Sequence, residues 1–565
     1  MIMSPGSTFV GASGTSYNSL SGTQNIAPPD VRLALMNGWL EVLGLQTPLG
    51  PASINVLALV SGSSTSDAVI TSGQNTVTSA SANFSLADVG KLIVVTDPAN
   101  FAHVFTGTIS GVSSSTTAIV NATSSATIAS GGQMYWGFDN YAALSAGLAA
   151  STGLVTLGAG IFMLSKGVIV PDGTTLQGAD TAFTSYNSLI TTGTILVAAG
   201  AASYPTSYVV QVGVTTTKSG NLRASLTNLT VEGMNLAQYG VYQHGVGSET
   251  NFCAIRRGTS AAMRADATIG KIVGCAISQQ ITGFALYLDG VQDFMVLYNY
   301  IHGAGGSNSS TPTANLYASD VFNGDVLIQG NHFFQESPLS SNTPARNIWM
   351  NSTASLLVMN IQNNIFDCTY GHQIYMATTA STVCEQINIH NNLIFENDAN
   401  FPNATFDFVN VSNLGVILGL SIKDNAAQNL VNTNSLSNIY NPTGAGTFAA
   451  VQVANNVMLS CNAVAPAGTV VDGGMQGNVL YNSSSTLLYS TQRGRSTQNG
   501  NGSTTAFNIA HGLSDTPQTW SVTPRVALAA PAFVVTPTLT NLVVTYATAP
   551  PTGTGNVDLQ WFASL

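Results

Sequence analysis

The chain has 565 residues, of which only 7% are charged and 45% hydrophobic, and its formal net charge is −11. Ordinary soluble domains are about a quarter charged, so solubility here rests on Ser, Thr, Asn and Gln, and the apolar content excludes a disordered chain. The acidic balance, with few basic residues outside Arg256-Arg257 and Arg493-Gly-Arg495, excludes nucleic acid as a partner, and no apolar run approaches a membrane span.

The start, Met1-Ile-Met-Ser-Pro-Gly, lacks the basic and apolar regions of a secretory signal. Assembly in a reducing cytoplasm and release by another route are therefore expected. Residues 1–27 are rich in Ser, Gly and Thr, and read as extended or ordered by a partner. Pro28-Pro29-Asp30 then opens Val31 to Leu45, where Leu33, Met36, Leu40 and Leu43 recur at helical spacing. A short helix between flexible flanks suits docking or oligomerisation, and residues 1–50 are read as a docking segment. Short alternating runs such as Lys91-Leu-Ile-Val-Val95 and Phe105-Thr-Gly-Thr-Ile109 predict a small β neck domain over 51–135. Trp136-Gly-Phe-Asp139 leads into a helix predicted over 140–150 with Asp139 as its N-cap. The segments Leu154-Val-Thr-Leu157, Gly158-Ala-Gly160 and Ile161-Phe-Met-Leu164 follow.

From about 270 to 480 one six-residue phrase returns: an apolar residue, a free position, a turn-former, Asn, a free position and usually an apolar residue. It reads Val296-Leu-Tyr-Asn299-Tyr-Ile301 and Ile328-Gln-Gly-Asn331-His-Phe333, then recurs around Asn364, Asn392, Asn425, Asn456 and Asn478. Ile272-Val-Gly-Cys275-Ala-Ile277 is a Cys-substituted copy. From Asn299 the intervals are 32, 33, 28, 33, 31 and 22 residues, the range of a solenoid whose units share one core. The turn-former tolerates left-handed backbone, and each Asn amide can bond its equivalents one coil away, at about 4.8 Å spacing. The predicted fold is an all-β, single-stranded parallel β-helix over 136–490. After 490, runs from Gly500 to Trp561 predict a separate C-terminal β-domain, 491–565. The five cysteines, Cys253, Cys275, Cys368, Cys384 and Cys461, have no CxxC spacing, so no metal or cofactor is called for and they are read as reduced core residues.

The order around 136–180, together with Leu86-Ala-Asp-Val-Gly90-Lys-Leu-Ile-Val94 before it, resembles the start of the pectate-lyase-like, right-handed β-helix of bacteriophage tailspikes. The helix start carries one Asp where such sequences often have two. The resemblance implies a homotrimer on the virion tail. Its N-terminus would meet tail or adaptor proteins, its C-terminal domain would trimerise or bind ligand, and the spike would attach to host surface polysaccharide. Cleavage of that polysaccharide is the first expectation; a non-catalytic adhesin or structural spike is the alternative, and a free polysaccharide lyase a third.

If the second residue after each Asn is core, the third faces outward, giving the row His302, Phe334, Asp367, Phe395, Gln428, Leu459 and Tyr481. So apolar a row suits a trimer contact or a loop cover, or else a platform for sugar rings. Glycoside hydrolysis needs two carboxylates, and stacked coils space residues by about 5 or 10 Å. Glu336, Asp367 and Glu396 lie +5, +3 and +4 from the successive repeat residues Asn331, Asn364 and Asn392, and they are the expected acid, base or nucleophile. His302, Phe334, Trp349, Tyr370, His372, Phe395 and Asp398 are the expected sugar contacts, and inserts at 303–315, 336–347 and 396–407 would wall the groove. Solvated turn carboxylates are the plain alternative, as for Asp289 with Asp293 and for Asp320 with Asp325. No lyase base cluster, Gly-His-Gly motif, nucleophile elbow or zinc spacing is present.

Overall fold

The computed structural model describes residues 8–10, 16–18, 55–57 and 59–565, except 101, 152, 182–187, 216–222, 279–282, 303–312, 320–324, 335–344, 353–355, 368–370, 396–404, 429–434, 460, 467–473, 482–486 and 527–531. The chain divides into two compact units, 1–54 and 55–565. In the first, Thr8–Val10 pairs antiparallel with Ser16–Asn18. The helix predicted over 31–45 lies outside the described residues.

In the second unit the repeated phrase determines the architecture. The strand before each Asn joins a 14-stranded sheet, the strand after it a 13-stranded sheet, and a later strand of the coil a 10-stranded sheet. These are called the first, second and third sheets below. Strands pair in parallel with the next coil, so the apolar residues three before each Asn stack as Val296, Ile328, Ile361, Ile389, Ile422, Val453 and Met475. Each is 0–4% exposed, and burial of such a side chain contributes roughly 1.5–3 kcal/mol. The molecule is the predicted parallel β-helix.

The Asn ladder follows the same register. Nδ2 of Asn299, Asn331, Asn364, Asn392, Asn425 and Asn456 donates to Oδ1 of the next Asn at 2.8–3.0 Å. Each of these side chains also donates to a carbonyl of the preceding coil, as Asn331 does to Val296 at 2.9 Å. Every donor and acceptor of these buried amides is therefore used. Ser490 closes the ladder, accepting from Asn478 at 3.1 Å. The residue before each Asn is left-handed: φ is 56° at Tyr298, Asn363, Asn391, Asp424 and Asn455, and 68° at Gly330. Upstream coils place Leu229, Cys253 and Cys275 at the ladder position, each after a left-handed residue, Asn228, Phe252 or Gly274. A second, shorter ladder runs from Asn315 through Asn347 at 2.7 Å to Gln373 at 2.5 Å.

Six antiparallel strands between Ser63 and Gly137 close into a barrel. The helix, Tyr141–Ala149, buries Leu144 and Leu148 against the first coils and closes the core at that end. Its N-cap is Asn140, not Asp139: the Asn140 amide holds Val60 instead of capping, while Asp139 accepts from the backbone N–H groups of Tyr141 and Ser165. Beyond Ser490, two three-stranded antiparallel sheets share a core of Phe507, Ile509, Leu542, Val544, Leu559 and Trp561.

Candidate functional site

The second-sheet strands that follow each Asn are three residues long, so the Asn and the second residue after it point inward while the first and third point out. Ile301, Phe333, Phe366, Ile394, Met458 and Leu480 are accordingly buried. The outward columns are Tyr300, His332, Ile365, Leu393 and Val457, and beside them His302, Phe334, Asp367, Phe395 and Leu459. At one end Tyr300 lies 4.8 Å from His302 and 4.9 Å from His332, and stacks on Phe334 at 6.2 Å. His332 Nε2 is 3.5 Å from Asp367 Oδ2. His302 is only 5% exposed; burial, then the nearby Arg256 and His332, push its pKa down to about 3, so it is neutral. Further along, Ile365, Val457 and Leu459 stand 39%, 50% and 42% exposed. Glu336, Tyr370, Glu396 and Asp398 lie outside the described residues.

Asp367 ends a strand of the second sheet, whereas Trp349 falls on the third sheet and His372 just before the third-sheet strand Ile374–Thr378. There a column of outward side chains rises one per coil: Tyr242, Arg264, Tyr287, Tyr317, Trp349 and Tyr375. The Arg264 guanidinium lies 5.1 Å from the Tyr242 ring and 5.6 Å from the Tyr287 ring. Ring centroids are 5.3 Å apart for Tyr287–Tyr317, 5.1 Å for Tyr317–Trp349 and 6.2 Å for Trp349–Tyr375. Phe284 stacks flat on Tyr317 at 4.1 Å. The result is a continuous aromatic ribbon crossing six coils, each ring half-buried.

Polar groups edge the ribbon. Asp266 accepts from Tyr242 Oη and meets His244 Nδ1 at 2.7 Å, and this hydrogen bond raises the His244 pKa. Arg264 donates to Asp289 at 2.6 Å. Asp289 also accepts from Ser319 at 3.1 Å, so the turn carboxylate read from sequence is an ion-pair partner. At the other end His372 stacks on Tyr375 at 5.9 Å, and its Nδ1 is 3.4 Å from Asp407 Oδ2. Burial, with Arg346 nearby, lowers the His372 pKa although Asp407 opposes the shift. Asp407 is 3% exposed and accepts from the Asn410, Asn438 and Asn441 amides at 2.8 Å each. None of the ribbon residues except Trp349 was expected from sequence. Their signal is a triplet, Leu286-Tyr287-Leu288, Leu316-Tyr317-Ala318, Ile348-Trp349-Met350 and Ile374-Tyr375-Met376, in which two inward apolar residues flank one outward ring.

Among the described residues no group of three or more His, Cys, Asp or Glu could hold a metal ion. No family model matches the chain, and no curated protein matches it. Among solved structures it is similar to the tailspike of Pseudomonas phage phi297, at 14% identity over 92% of this chain and 84% of that one, TM-score 0.34. It is also similar to the tailspike of Pseudomonas phage LKA1, at 10% identity over 90% and 83%, TM-score 0.28. A third similarity is to the A-module of the Azotobacter vinelandii mannuronan C-5 epimerase AlgE6, at 13% identity over 60% and 95%, TM-score 0.37.

Proposed function

We propose that this chain is the receptor-binding spike of a phage virion and that it grips a surface polysaccharide along its third sheet. The observation that carries the reading is the aromatic ribbon from Tyr242 to Tyr375. A pyranose ring offers an apolar C–H face to an aromatic face and hydroxyls to its edges, and polar groups such as Asp289, Asn351 and Ser319 border this ribbon. The second sheet beyond its Tyr300–Phe334 cluster has the opposite character. Exposed Ile365, Val457 and Leu459 suit the seam of a homotrimer better than a wet face. In this arrangement residues 1–50 dock to tail or adaptor proteins, 51–135 form the neck, 136–490 present the glycan face, and 491–565 trimerise or bind ligand.

The test is binding of host surface polysaccharide by the wild type and by Tyr317→Ala and Trp349→Ala. Loss of at least one hot-spot contact weakens binding about tenfold or more. Unchanged affinity in both variants would remove the ribbon from the site. Cleavage of the bound glycan is the second reading. It is favoured by Asp367, a largely buried carboxylate beside His332. Reducing ends released by the wild type but not by Asp367→Asn would support it, and no release from a polysaccharide that binds would leave an adhesin.

A further inference from the structure

We infer that Arg346 anchors the carboxylate of an acidic sugar at the Trp349–Tyr375 end of the ribbon. The inference rests on the glycan-binding reading and names the class of glycan. Arg346 differs from the other arginines described in the β-helix. Arg223, Arg256, Arg257 and Arg264 each face a carboxylate, Glu249, Glu232, Glu232 and Asp289 respectively. Arg346 faces rings instead: its guanidinium carbon is 4.6 Å from the Trp349 ring centroid and 4.1 Å from that of Tyr375. Its Nε and Nη1, and the indole Nε1 of Trp349, are shut off from solvent and have no hydrogen-bond acceptor among the described residues. Three donors in one neighbourhood thus lack an acceptor.

Leaving such donors unsatisfied is costly, more so for a charged group. Cation–π contact offsets only part of that cost. The burial also lowers the Arg346 pKa, as expected of a cation without a counter-ion. The nearest carboxylate on the same column is Asp407, two coils on past His372, and its oxygens are engaged by three Asn amides. An arriving carboxylate supplies what is missing. Its two oxygens match the guanidinium fork, and the pyranose ring bearing it lies on the flanking aromatic faces. Arg346 as a residue is only half-buried, and its flexible stem lets the guanidinium turn outward to meet the ligand. A chain of net charge −11 repels acidic polymers at long range, so a dedicated cation is needed to hold one.

The experiment is an array of bacterial surface polysaccharides, each printed in native and in carboxyl-reduced form, probed with full-length wild type and Arg346→Gln. Acidic members are expected to bind the wild type and to weaken about tenfold or more on carboxyl reduction, the value of a charge-assisted contact. Arg346→Gln is expected to show the same weakening, and Arg346→Lys, which keeps the charge without the fork, an intermediate one. Equal binding of native and reduced forms by the wild type overturns the inference and leaves the glycan reading standing, as does binding of phosphorylated polymers alone. No binding to any polysaccharide overturns the glycan reading itself. The wild-type comparison needs no variant, so it can overturn the inference even if Arg346→Gln fails to fold, and unweakened binding of acidic members by folded Arg346→Gln or Arg346→Lys overturns the assignment to Arg346.

Discussion

Arg257 and Glu232 face each other as a two-pronged ion pair, with Nε–Oε1 and Nη2–Oε2 both at 2.6 Å and neither side chain exposed. Arg257 Nη1 reaches on to Gln133 Oε1 at 3.2 Å and Thr96 Oγ1 at 3.3 Å, both on the barrel. Around the pair, Leu92, Val94 and Tyr135 of the barrel pack on Ile161, Met163, Ile195 and Val197 of the second sheet. An apolar outward face is thus covered by the barrel, and Arg257, held by Glu232, bonds across to it beside the Tyr135–Ile190 and Gly200–Thr106 hydrogen bonds. Glu232→Gln strands the Arg257 and Arg256 charges together and is expected to cost about 3–5 kcal/mol, whereas Arg257→Met leaves Glu232 with Arg256 at 3.5 Å and is expected to cost less. Burial alone would raise the Glu232 pKa, but the Arg257 and Arg256 charges hold it below the usual carboxylate range. This stability is therefore present above the ordinary Glu pKa and is lost as pH falls through the lower, folded one. Limited proteolysis between barrel and β-helix, at neutral and acid pH, measures the effect. A Glu232→Gln protein as resistant as the wild type would show that the pair is dispensable.

The ladder makes a graded expectation. Asn392 donates to Asn425 and to the Ile361 carbonyl and accepts from Asn364, all in the interior. Asn392→Ala leaves neighbours on both sides unsatisfied, at about 1–3 kcal/mol for each buried group. Ser490→Ala strands donors on one side only, the backbone N–H and Nδ2 of Asn478, and is expected to cost less than Asn392→Ala. Denaturant unfolding of the two variants decides the order, and equal losses would mean that the amides do not act as a chain.

That ladder was legible because one chemical requirement recurs once per coil with nearly the same flanking residues. Asn299 to Asn478 could be aligned by eye, and the inward positions beside them followed. The upstream coils carry no such mark: Leu229 and Cys253 stand at the same position, where the Cys253 thiol donates to the Asn251 carbonyl at 3.3 Å, so there the β-helix is legible from its strand and turn segments and not from the Asn phrase. The second ladder mixes Asn315, Asn347 and Gln373 at unequal sequence distances from the Asn phrase, which hides its register. The candidate site was legible only in part for the same reason. Tyr242, Tyr287, Tyr317 and Tyr375 lie at no fixed count from the Asn turn, so counting from the Asn reaches Asp367 and Phe334 but not the ribbon. Trp349 and His372 are near Asp367 in sequence, but Trp349 lies on a different sheet and His372 just before a strand of that sheet.

Two histidines should tilt stability in opposite directions. His302 is kept neutral in the fold, with a pKa near 3 against an ordinary 6.5. Its contribution is therefore present above 6.5 and shrinks as pH falls from there towards 3. His244 is raised by its hydrogen bond to Asp266. Its contribution is present below 6.5 and is lost as pH rises through the folded value. Melting of the wild type between about pH 8 and about pH 4, beside His302→Gln and His244→Gln, separates them. His302→Gln is expected to flatten the acid side and His244→Gln the neutral side. Profiles parallel to the wild type in both variants would assign the slope to other groups.

A large ring at the left-handed turn position restricts the equivalent position of the next coil to glycine. Phe252 is succeeded there by Gly274 and Tyr298 by Gly330, and a Cβ on either glycine would lie 2.7 or 2.5 Å from the preceding ring. Both glycines also have positive φ, 65° and 68°. Gly330→Ala therefore meets two penalties, a left-handed backbone costing about 1 kcal/mol and a steric clash with Tyr298. In a Tyr298→Ser background only the first should remain. The double-mutant cycle is expected to show a coupling of at least about 0.5 kcal/mol, relieving part of the cost of Gly330→Ala. Strict additivity would mean that the Tyr298 ring, half exposed to solvent, swings aside freely and that backbone geometry alone selects glycine there.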